Sequence, residues 1–167
     1  MMVEIDQQTQ AIIGKPPDLV ICPVGAGSLA QAVVAHFKHM EPSATILTVE
    51  PDTAASLKTS LENGRLTSIP TEDTIMCGMN CGTVSSLAWP FLRDGVDASI
   101  IVTDDEDRIA QDTLKEIQIF IGPCGASSLA ALTKACKVGK EKLYIHQDTI
   151  VVLLGTEGPR GPTFDTA

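Results

Sequence analysis

Two segments of this chain place a glycine-rich turn between an apolar run and a stretch of small residues. The first turn spans residues 25–28 and follows the apolar run 19–23, and the second spans residues 122–126. Glycine lets the backbone turn tightly and approach a ligand closely. A buried apolar strand that turns directly into a helix is typical of α/β proteins with a parallel sheet. This pattern therefore constrains the fold more than any other feature of the chain.

The first turn also predicts an anion site. The free N–H groups and the positive dipole end of a helix N-terminus bind a phosphate without any Lys or Arg. A plain connector has the same sequence, so the residues alone leave both interpretations open. No Gly-Lys-Ser/Thr follows, which argues against a nucleoside-triphosphate loop. Glu50 is followed by Pro51, which leaves a dinucleotide site only as a minor alternative.

Composition indicates a folded protein and excludes some partners. The chain has 167 residues, 44% of them apolar, and a net charge of −9. This charge disfavours nucleic acids and anionic membrane surfaces. We expect neither a signal sequence nor a membrane span, since no apolar run approaches the ~20 residues that a span needs. We expect a cytoplasmic protein.

The cysteines do not predict a disulfide framework or a metal site. There are five, an odd number, and most lie among apolar or small residues. Cys77 and Cys81 lack a second Cys/His pair at a suitable spacing. We therefore interpret the cysteines as ordinary buried thiols.

Hydrophobic periodicity predicts alternating strands and helices. Strands are predicted at 19–22, 45–49, 98–102 and 149–154, with a short apolar segment at 119–121. Helices are predicted at 3–13, 28–39, 53–63, 84–93, 104–117 and 126–137, and a long connection at 65–82. The expected fold is a three-layer α/β domain with one open, mostly parallel sheet and helices on both faces. Ligands bind at the carboxyl ends of such strands, where segments 25–28, 122–126 and 155–158 should converge.

Side chains outside these turns give weaker signals. Ser85-Ser86 and Ser127-Ser128 stand at predicted helix starts, where capping or packing explains them better than nucleophilic catalysis. The acidic run 104–107 lacks the spacing of a calcium loop, and we interpret it as a solvated helix start. No nucleophile stands near His146 in sequence.

Five landmarks in order carry a resemblance to a known family. They are the segments 23–30, 48–51, 73–82, 122–126 and 151–158. Together they resemble the fold-type II pyridoxal-phosphate enzymes, the tryptophan synthase beta superfamily. The nearest pattern is that of the diaminopropionate ammonia-lyases, and the threonine and serine dehydratases share much of it.

The resemblance implies a cofactor, pyridoxal 5'-phosphate, and a set of residues around it. The implied cofactor-binding residues are Gly25, Ala26, Gly27, Ser28, Cys124 and Thr156. Those implied on the substrate side are Gly78, Met79 and Asn80. The Cys124 thiol would face the pyridine nitrogen and Thr156 the ring edge. A neutral group at the ring nitrogen suits α,β-elimination from a small amino acid. Cys124 as a plain core residue stays an alternative.

The chain departs from the family at the catalytic lysine. The family holds its cofactor as a Schiff base on a lysine in a Ser-x-Lys context in the N-terminal half, with an asparagine nearby, and neither motif is present. The eight lysines lie at polar positions: Lys15, Lys38, Lys58, Lys115, Lys134, Lys137, Lys140 and Lys142. We therefore expect no catalytic residue and at most non-covalent cofactor binding. The chain resembles a C-terminal half: helix and linker 1–17, core 18–158 and tail 159–167 of one partial domain.

Three hypotheses follow. The chain is an inactive fragment of an α,β-eliminating ammonia-lyase, or it is one half of a two-chain enzyme whose N-terminal partner supplies the lysine. The third hypothesis is a non-catalytic binding module for a phosphorylated metabolite. Expected partners are pyridoxal phosphate, a small amino acid, and either a second copy in a homodimer or the missing half. Exposed edges of an incomplete sheet would favour association.

Overall fold

The fold is built on a four-stranded sheet in which every pairing is parallel. A computed structural model of the chain describes residues 1–139, 141, 143 and 145–160; Lys140, Lys142 and most of the predicted tail lie outside them. The strands are β1 (Leu19–Pro23), β2 (Thr45–Pro51), β3 (Ala98–Val102) and β4 (Val151–Leu153). Their order is β3-β2-β1-β4, with Leu19 beside both Thr45 of β2 and Val151 of β4.

Helices cover both faces of this sheet. They are α1 (Met2–Ile13), α2 (Ser28–Phe37), α3 (Ser56–Asn63), α4 (Trp89–Gly95), α5 (Asp104–Glu116) and α6 (Pro123–Val138), with short 3₁₀ turns at Asp52–Ala54 and Cys77–Met79. Buried side chains form two separate apolar clusters, one under α2, α3 and α4 and the other under α5 and α6. This arrangement confirms the predicted three-layer α/β fold.

Strand β1 divides its side chains between the two clusters. Leu19 and Ile21 belong to the cluster of α5 and α6, whereas Val20 and Cys22 belong to that of α2 and α4. All of β1 is buried, because a central parallel strand is covered on both faces. The continuous apolar run of β1 follows from this position.

The strand order places a crevice beside the end of β1. The chain leaves β1 through α2 toward β2 on one side, while β4 pairs with β1 on the other. A sheet of this kind opens where connections diverge, at the carboxyl ends of its strands. The segments after β1 and β4 therefore face each other there.

Two helices begin later in the chain than predicted. In the predicted helix 53–63, the buried Glu50 carboxylate accepts hydrogen bonds from Leu57 N (2.7 Å) and Lys58 N (2.8 Å), and the α-helix begins at Ser56. In the predicted helix 84–93, residues 86–88 form a turn, and the α-helix begins at Trp89 with a proline in its first turn.

Two other boundaries also differ. Segment 119–121 forms no strand; the chain turns at Gln118, whose φ is 64°, and leaves α5. Helix α6 begins at Pro123 rather than at residue 126, since proline fits the first helical turn. Of the helices in the described residues, none is long and apolar enough to cross a membrane.

Candidate binding site at the carboxyl end of the sheet

A cavity of about 450 Å³ opens at the carboxyl ends of β1 and β4. Eight of the nine predicted site residues line it: Gly25, Ala26, Gly27, Ser28, Gly78, Met79, Cys124 and Thr156. Asn80 is the exception, because its side-chain amide donates to Glu72 O (3.1 Å) and supports the loop from outside the cavity. Residues that the resemblance implied in four separate segments of the chain thus lie around one cavity.

The turn after β1 offers unoccupied backbone donors to this cavity. Gly27 has a φ of 92°, a left-handed conformation that favours glycine, and precedes α2 without any side-chain cap. Ala26 and Ser28 are exposed. The amides of Gly27, Ser28 and Leu29 have no acceptor among the residues that the structure describes. This helix N-terminus can therefore accept an anion.

Gly25 lets a second segment close over the turn. A Cβ at Gly25 would lie 2.7 Å from Gly78 O and 3.4 Å from Cys81 Sγ. The 3₁₀ turn Cys77–Met79 thus rests directly on the glycine backbone and forms one wall of the cavity. A side chain at position 25 would displace that wall, whereas position 26 is exposed.

The second glycine turn is buried, and a carboxylate of the protein occupies it. Glu157 Oε2 accepts a 2.6 Å hydrogen bond from Cys124 N in the first turn of α6. A Cβ at Gly122 would lie 2.7 Å from this carboxyl group. The positive end of α6 is therefore neutralised from within. Ser127 donates to Cys124 O (2.9 Å) and Ser128 to Leu154 O (2.8 Å), as expected for packing residues.

Glu157 also pairs with Arg160, and sequence reasoning missed both residues. Arg160 donates to Glu157 Oε1 from Nε (2.8 Å) and Nη2 (2.6 Å), and from Nη1 to Ile75 O (2.9 Å). The pair is largely enclosed, with side-chain exposures of 17% for Arg160 and 26% for Glu157. The spacing of Glu and Arg is the only sequence signal, and such pairs are common on protein surfaces.

Cys124 presents a neutral thiol to the cavity. Burial, with a smaller contribution from the nearby Glu157 carboxylate, raises its pKa to about 11, and the Arg160 guanidinium lowers the pKa by less than Glu157 raises it. A thiol in this state is inert as a nucleophile. The other thiols correct part of our expectation, because Cys77 and Cys136 are exposed and Cys81 is only partly buried.

The acidic start of α5 contacts the loop at residues 74–75. We expected this run to be solvated, but part of it is buried. Thr103 and Glu106 form a capping box, and Asp104 accepts from Thr74 Oγ1 (2.6 Å) and Ile75 N (3.2 Å). Asp107 is buried, and its Oδ1 has no partner among the described residues. Burial, together with the charges of Asp104 and Glu157, raises the pKa of Asp107 to about 7.

Lysines do not line the cavity within the described part of the chain. Four of them pair with carboxylates: Lys38 with Asp97, Lys58 with Glu62, Lys115 with Asp112 and Lys134 with Glu106. Lys15 and Lys137 are exposed. The six described lysines thus lie at polar surface positions, as predicted.

Comparison with known proteins gives consistent matches to one family. The family model described as "Pyridoxal-phosphate dependent enzyme" matches residues 1–155. Serine racemase of Oryza sativa subsp. indica is 33% identical over 68% of this chain and 34% of its own length. Serine racemase of Dictyostelium discoideum is 31% identical over 81% of this chain and 42% of its own length. The chloroplastic biosynthetic threonine dehydratase of Cicer arietinum is 30% identical over 77% and 21%, respectively.

Solved structures agree with these relatives. The threonine deaminase of T.th. superposes with a TM-score of 0.81 at 27% identity, over 96% of this chain and 52% of that one. The diaminopropionate ammonia lyase of Escherichia coli, in complex with an aminoacrylate-PLP azomethine intermediate, has a TM-score of 0.78 at 25% identity, over 91% and 42%. The chain thus spans about half or less of the length of the relatives it matches.

Proposed function

Because the chain belongs to the family of pyridoxal-phosphate dependent enzymes, we propose that its turn 25–28 holds the cofactor phosphate in an amino-acid lyase, dehydratase or racemase site. The cofactor predicted from the sequence, pyridoxal 5'-phosphate, is confirmed by this membership. The observation that carries the proposal is the set of free amides at the start of α2, open to the cavity.

Turn 25–28 fits a phosphate group in three respects. Free N–H donors and the helix dipole provide positive potential without a charged side chain. The exposed Ser28 hydroxyl can add a further donor. Gly25 lets the turn Cys77–Met79 close the wall beside the phosphate. When bound, pyridoxal phosphate supplies an electron sink that stabilises negative charge at the α-carbon of an amino acid.

We assign the remaining lining residues by their place around the cavity. The proposed role of Cys124 and Thr156 is to face the cofactor ring from the walls formed by α6 and by the segment after β4. Gly78 and Met79 would border the substrate side. Asn80 would act indirectly, since its amide holds Glu72 O. A neutral thiol at Cys124 would not keep the ring nitrogen protonated as a carboxylate would. The ring would then stabilise a carbanion less strongly, which favours elimination.

The reaction proposed is α,β-elimination from a small amino acid, with release of ammonia. The threonine dehydratases among the relatives support an elimination, and the serine racemases support a small amino acid as the substrate. A diaminopropionate substrate is the finer proposal, supported by the resemblance that the five segments carry together and by the likeness to the diaminopropionate ammonia lyase structure. Free thiols at all five cysteines fit a reducing compartment, so the cytoplasm is the proposed location.

We further propose that a complementary polypeptide segment supplies the reactive lysine, and that this chain alone is inactive. The described lysines lie at polar surface positions away from the lining residues, and the relatives are about twice as long or longer. Mixing the purified chain with the N-terminal half of a related threonine dehydratase should then restore ammonia and keto-acid formation. No activity at any ratio would contradict the two-chain proposal.

Cofactor titration tests the binding proposal directly. The chain is titrated with pyridoxal phosphate and with dephosphorylated pyridoxal, followed by absorbance, then reduced with borohydride and mapped by mass spectrometry. Saturable, phosphate-dependent binding without one predominantly labelled lysine is the expected result. Equal binding of both compounds would contradict a phosphate cradle. One stoichiometrically labelled lysine would contradict the proposal that the lysine comes from elsewhere.

A further inference from the structure

Glu157 and Arg160 join three walls of the cavity that are far apart in sequence. Glu157 stands in the segment after β4 and accepts from Cys124 N in the first turn of α6. Arg160 donates to Glu157 and to Ile75 O in the loop that leads to Gly78. Removing either member would leave a largely enclosed charge without its partner. The pair is therefore a brace between the walls.

The same pair sets the charges around the Cys124 sulfur. Arg160 Nη2 lies 3.8 Å from Cys124 Sγ, and the Glu157 carboxylate lies at the backbone of the same residue. From the turn Cys77–Met79, Cys77 is near enough to Arg160 to interact with it. On α5, Asp107 is close enough to both Glu157 and Asp104 to interact with their charges. Arg160 and Glu157 are thus the charged groups that act on the thiol, and Asp107 lies near Glu157.

We propose that Glu157 is a positioning residue that, in addition to burial, keeps Cys124 a neutral thiol at the cavity wall by offsetting the charge of Arg160, its counter-ion and partner in the brace. The relevance of this state to a bound cofactor ring rests on the function proposed above, whereas the control of the thiol by Glu157 does not. A guanidinium next to a sulfur favours the thiolate, and a thiolate is the reactive form of cysteine. The Glu157 carboxylate cancels that effect of Arg160.

The electrostatics agree with the geometry. Burial is the largest cause of the raised pKa of Cys124, followed by the charge of Glu157 and its hydrogen bond, whereas Arg160 lowers the pKa. Removing the two charges should therefore change the thiol in opposite directions. A loss of packing, by contrast, would expose the thiol in both cases and accelerate its reaction in both.

Cysteine alkylation in the absence of cofactor tests the proposal. The full chain is treated with iodoacetamide between pH 8.0 and 9.5, and the rate at each cysteine is measured by mass spectrometry. In Glu157→Gln, Cys124 should react several times faster, because loss of the carboxylate increases the thiolate population. In Arg160→Gln, it should react more slowly than in the unaltered chain. Glu116→Gln, which removes an exposed carboxylate on α5, is the matched control and should change nothing.

Two other cysteines serve as internal references. Cys81 lines the same cavity and reports access, while the fully buried Cys22 reports unfolding. Acceleration of Cys124 in both variants, or no acceleration in Glu157→Gln, overturns the proposal. If Cys22 becomes reactive in Glu157→Gln, the comparison moves to Glu157→Asp. That variant keeps the charge and must leave Cys124 slow; a fast Cys124 there overturns the proposal. Failure of pyridoxal phosphate to bind would affect only the proposed function.

Discussion

The two glycine turns of this chain look alike in sequence and have opposite surroundings. The turn 25–28 opens α2 toward a cavity, with exposed residues and free amides. The turn 122–126 opens α6 in a fully buried position, and its Cys124 amide already donates to Glu157. Both are helix N-termini that attract an anion. One is available to a ligand, and the other is satisfied by a carboxylate of the chain itself.

This difference teaches that a glycine turn before a helix does not by itself identify a ligand site. What decides its role is whether an acidic side chain from elsewhere in the chain reaches the free amides. Glu157 lies 33 residues beyond Cys124, so the local sequence of the second turn contains no trace of it. The availability of the first turn is therefore a property of the tertiary structure.

Ala26→Asp should give the first turn the character of the second and is expected to have the largest effect. A carboxylate at this exposed position would interact with the free amides of α2 and repel a phosphate. We expect pyridoxal phosphate affinity to fall about 100-fold, equivalent to ~2.7 kcal/mol. Ala26→Asn, which has a similar shape without the charge, should lose much less. Both affinities are measured by absorbance titration, and equal losses would contradict an anion site.

Asp107→Asn should change how the free energy of unfolding depends on pH. Asp107 lies near Glu157, the residue that occupies the second turn. Burial raises the pKa of Asp107 from 3.8 to about 7, so the folded chain binds more protons than the unfolded chain between these values. This contribution to stability is present below about pH 4 and is lost as pH rises through 7. The buried Glu50, with a pKa raised to about 7 mainly by burial, contributes in the same window.

The asparagine variant should therefore be more stable than the unaltered chain at pH 8 by ~1–2 kcal/mol, with a shallower loss between pH 5 and 8. Urea unfolding at several pH values measures this. Asp105→Asn, at an exposed position of the same helix turn, is the control and should leave the slope unchanged. An identical slope in Asp107→Asn would mean that Asp107 does not titrate between pH 5 and 8, which would contradict its raised pKa.

Paired serine variants give the smallest and most selective comparison. Ser28→Ala should weaken phosphate-dependent binding by about fivefold, the effect of one hydrogen bond near 1 kcal/mol, with little change in stability. Ser127→Ala should do the reverse, because its buried hydroxyl donates to Cys124 O (2.9 Å) inside α6. Titration and urea unfolding of both variants measure the two effects. If both serines affected the same property, the functional contrast between the turns would be wrong.

The fold was largely predictable because buried positions require apolar residues, which leave a recognisable pattern in the sequence. The continuous apolar run of β1 reflects cover on both faces, and the start of α5 carries the capping box of Thr103 and Glu106. The start of α3 was not predictable, since it depends on the Glu50 carboxylate seven residues earlier. Segment 119–121 misled the prediction because its apolar side chains follow a left-handed Gln118 and stay partly exposed.

The site was predictable in its glycine turns and unpredictable in its charges. Turns keep a local signature, so residues 25–28 could be placed from the sequence and the family resemblance. The Glu157–Arg160 pair depends on how the segment after β4 meets α6 and Ile75, which only the fold determines. The burial of Asp107 was hidden in the same way, because an acidic run at a helix start usually faces solvent.

The strand order also sets when the cavity can form during synthesis. β1 pairs with β4, although more than a hundred residues separate them, and Arg160 closes the loop around Ile75 only after β4 has been made. A nascent chain that already contains β1, β2 and β3 therefore has an open sheet edge beside turn 25–28. Until β4 emerges from the ribosome, that edge is accessible to chaperones and to other chains. The cavity is thus completed by β4, which is synthesised after the other three strands of the described sheet.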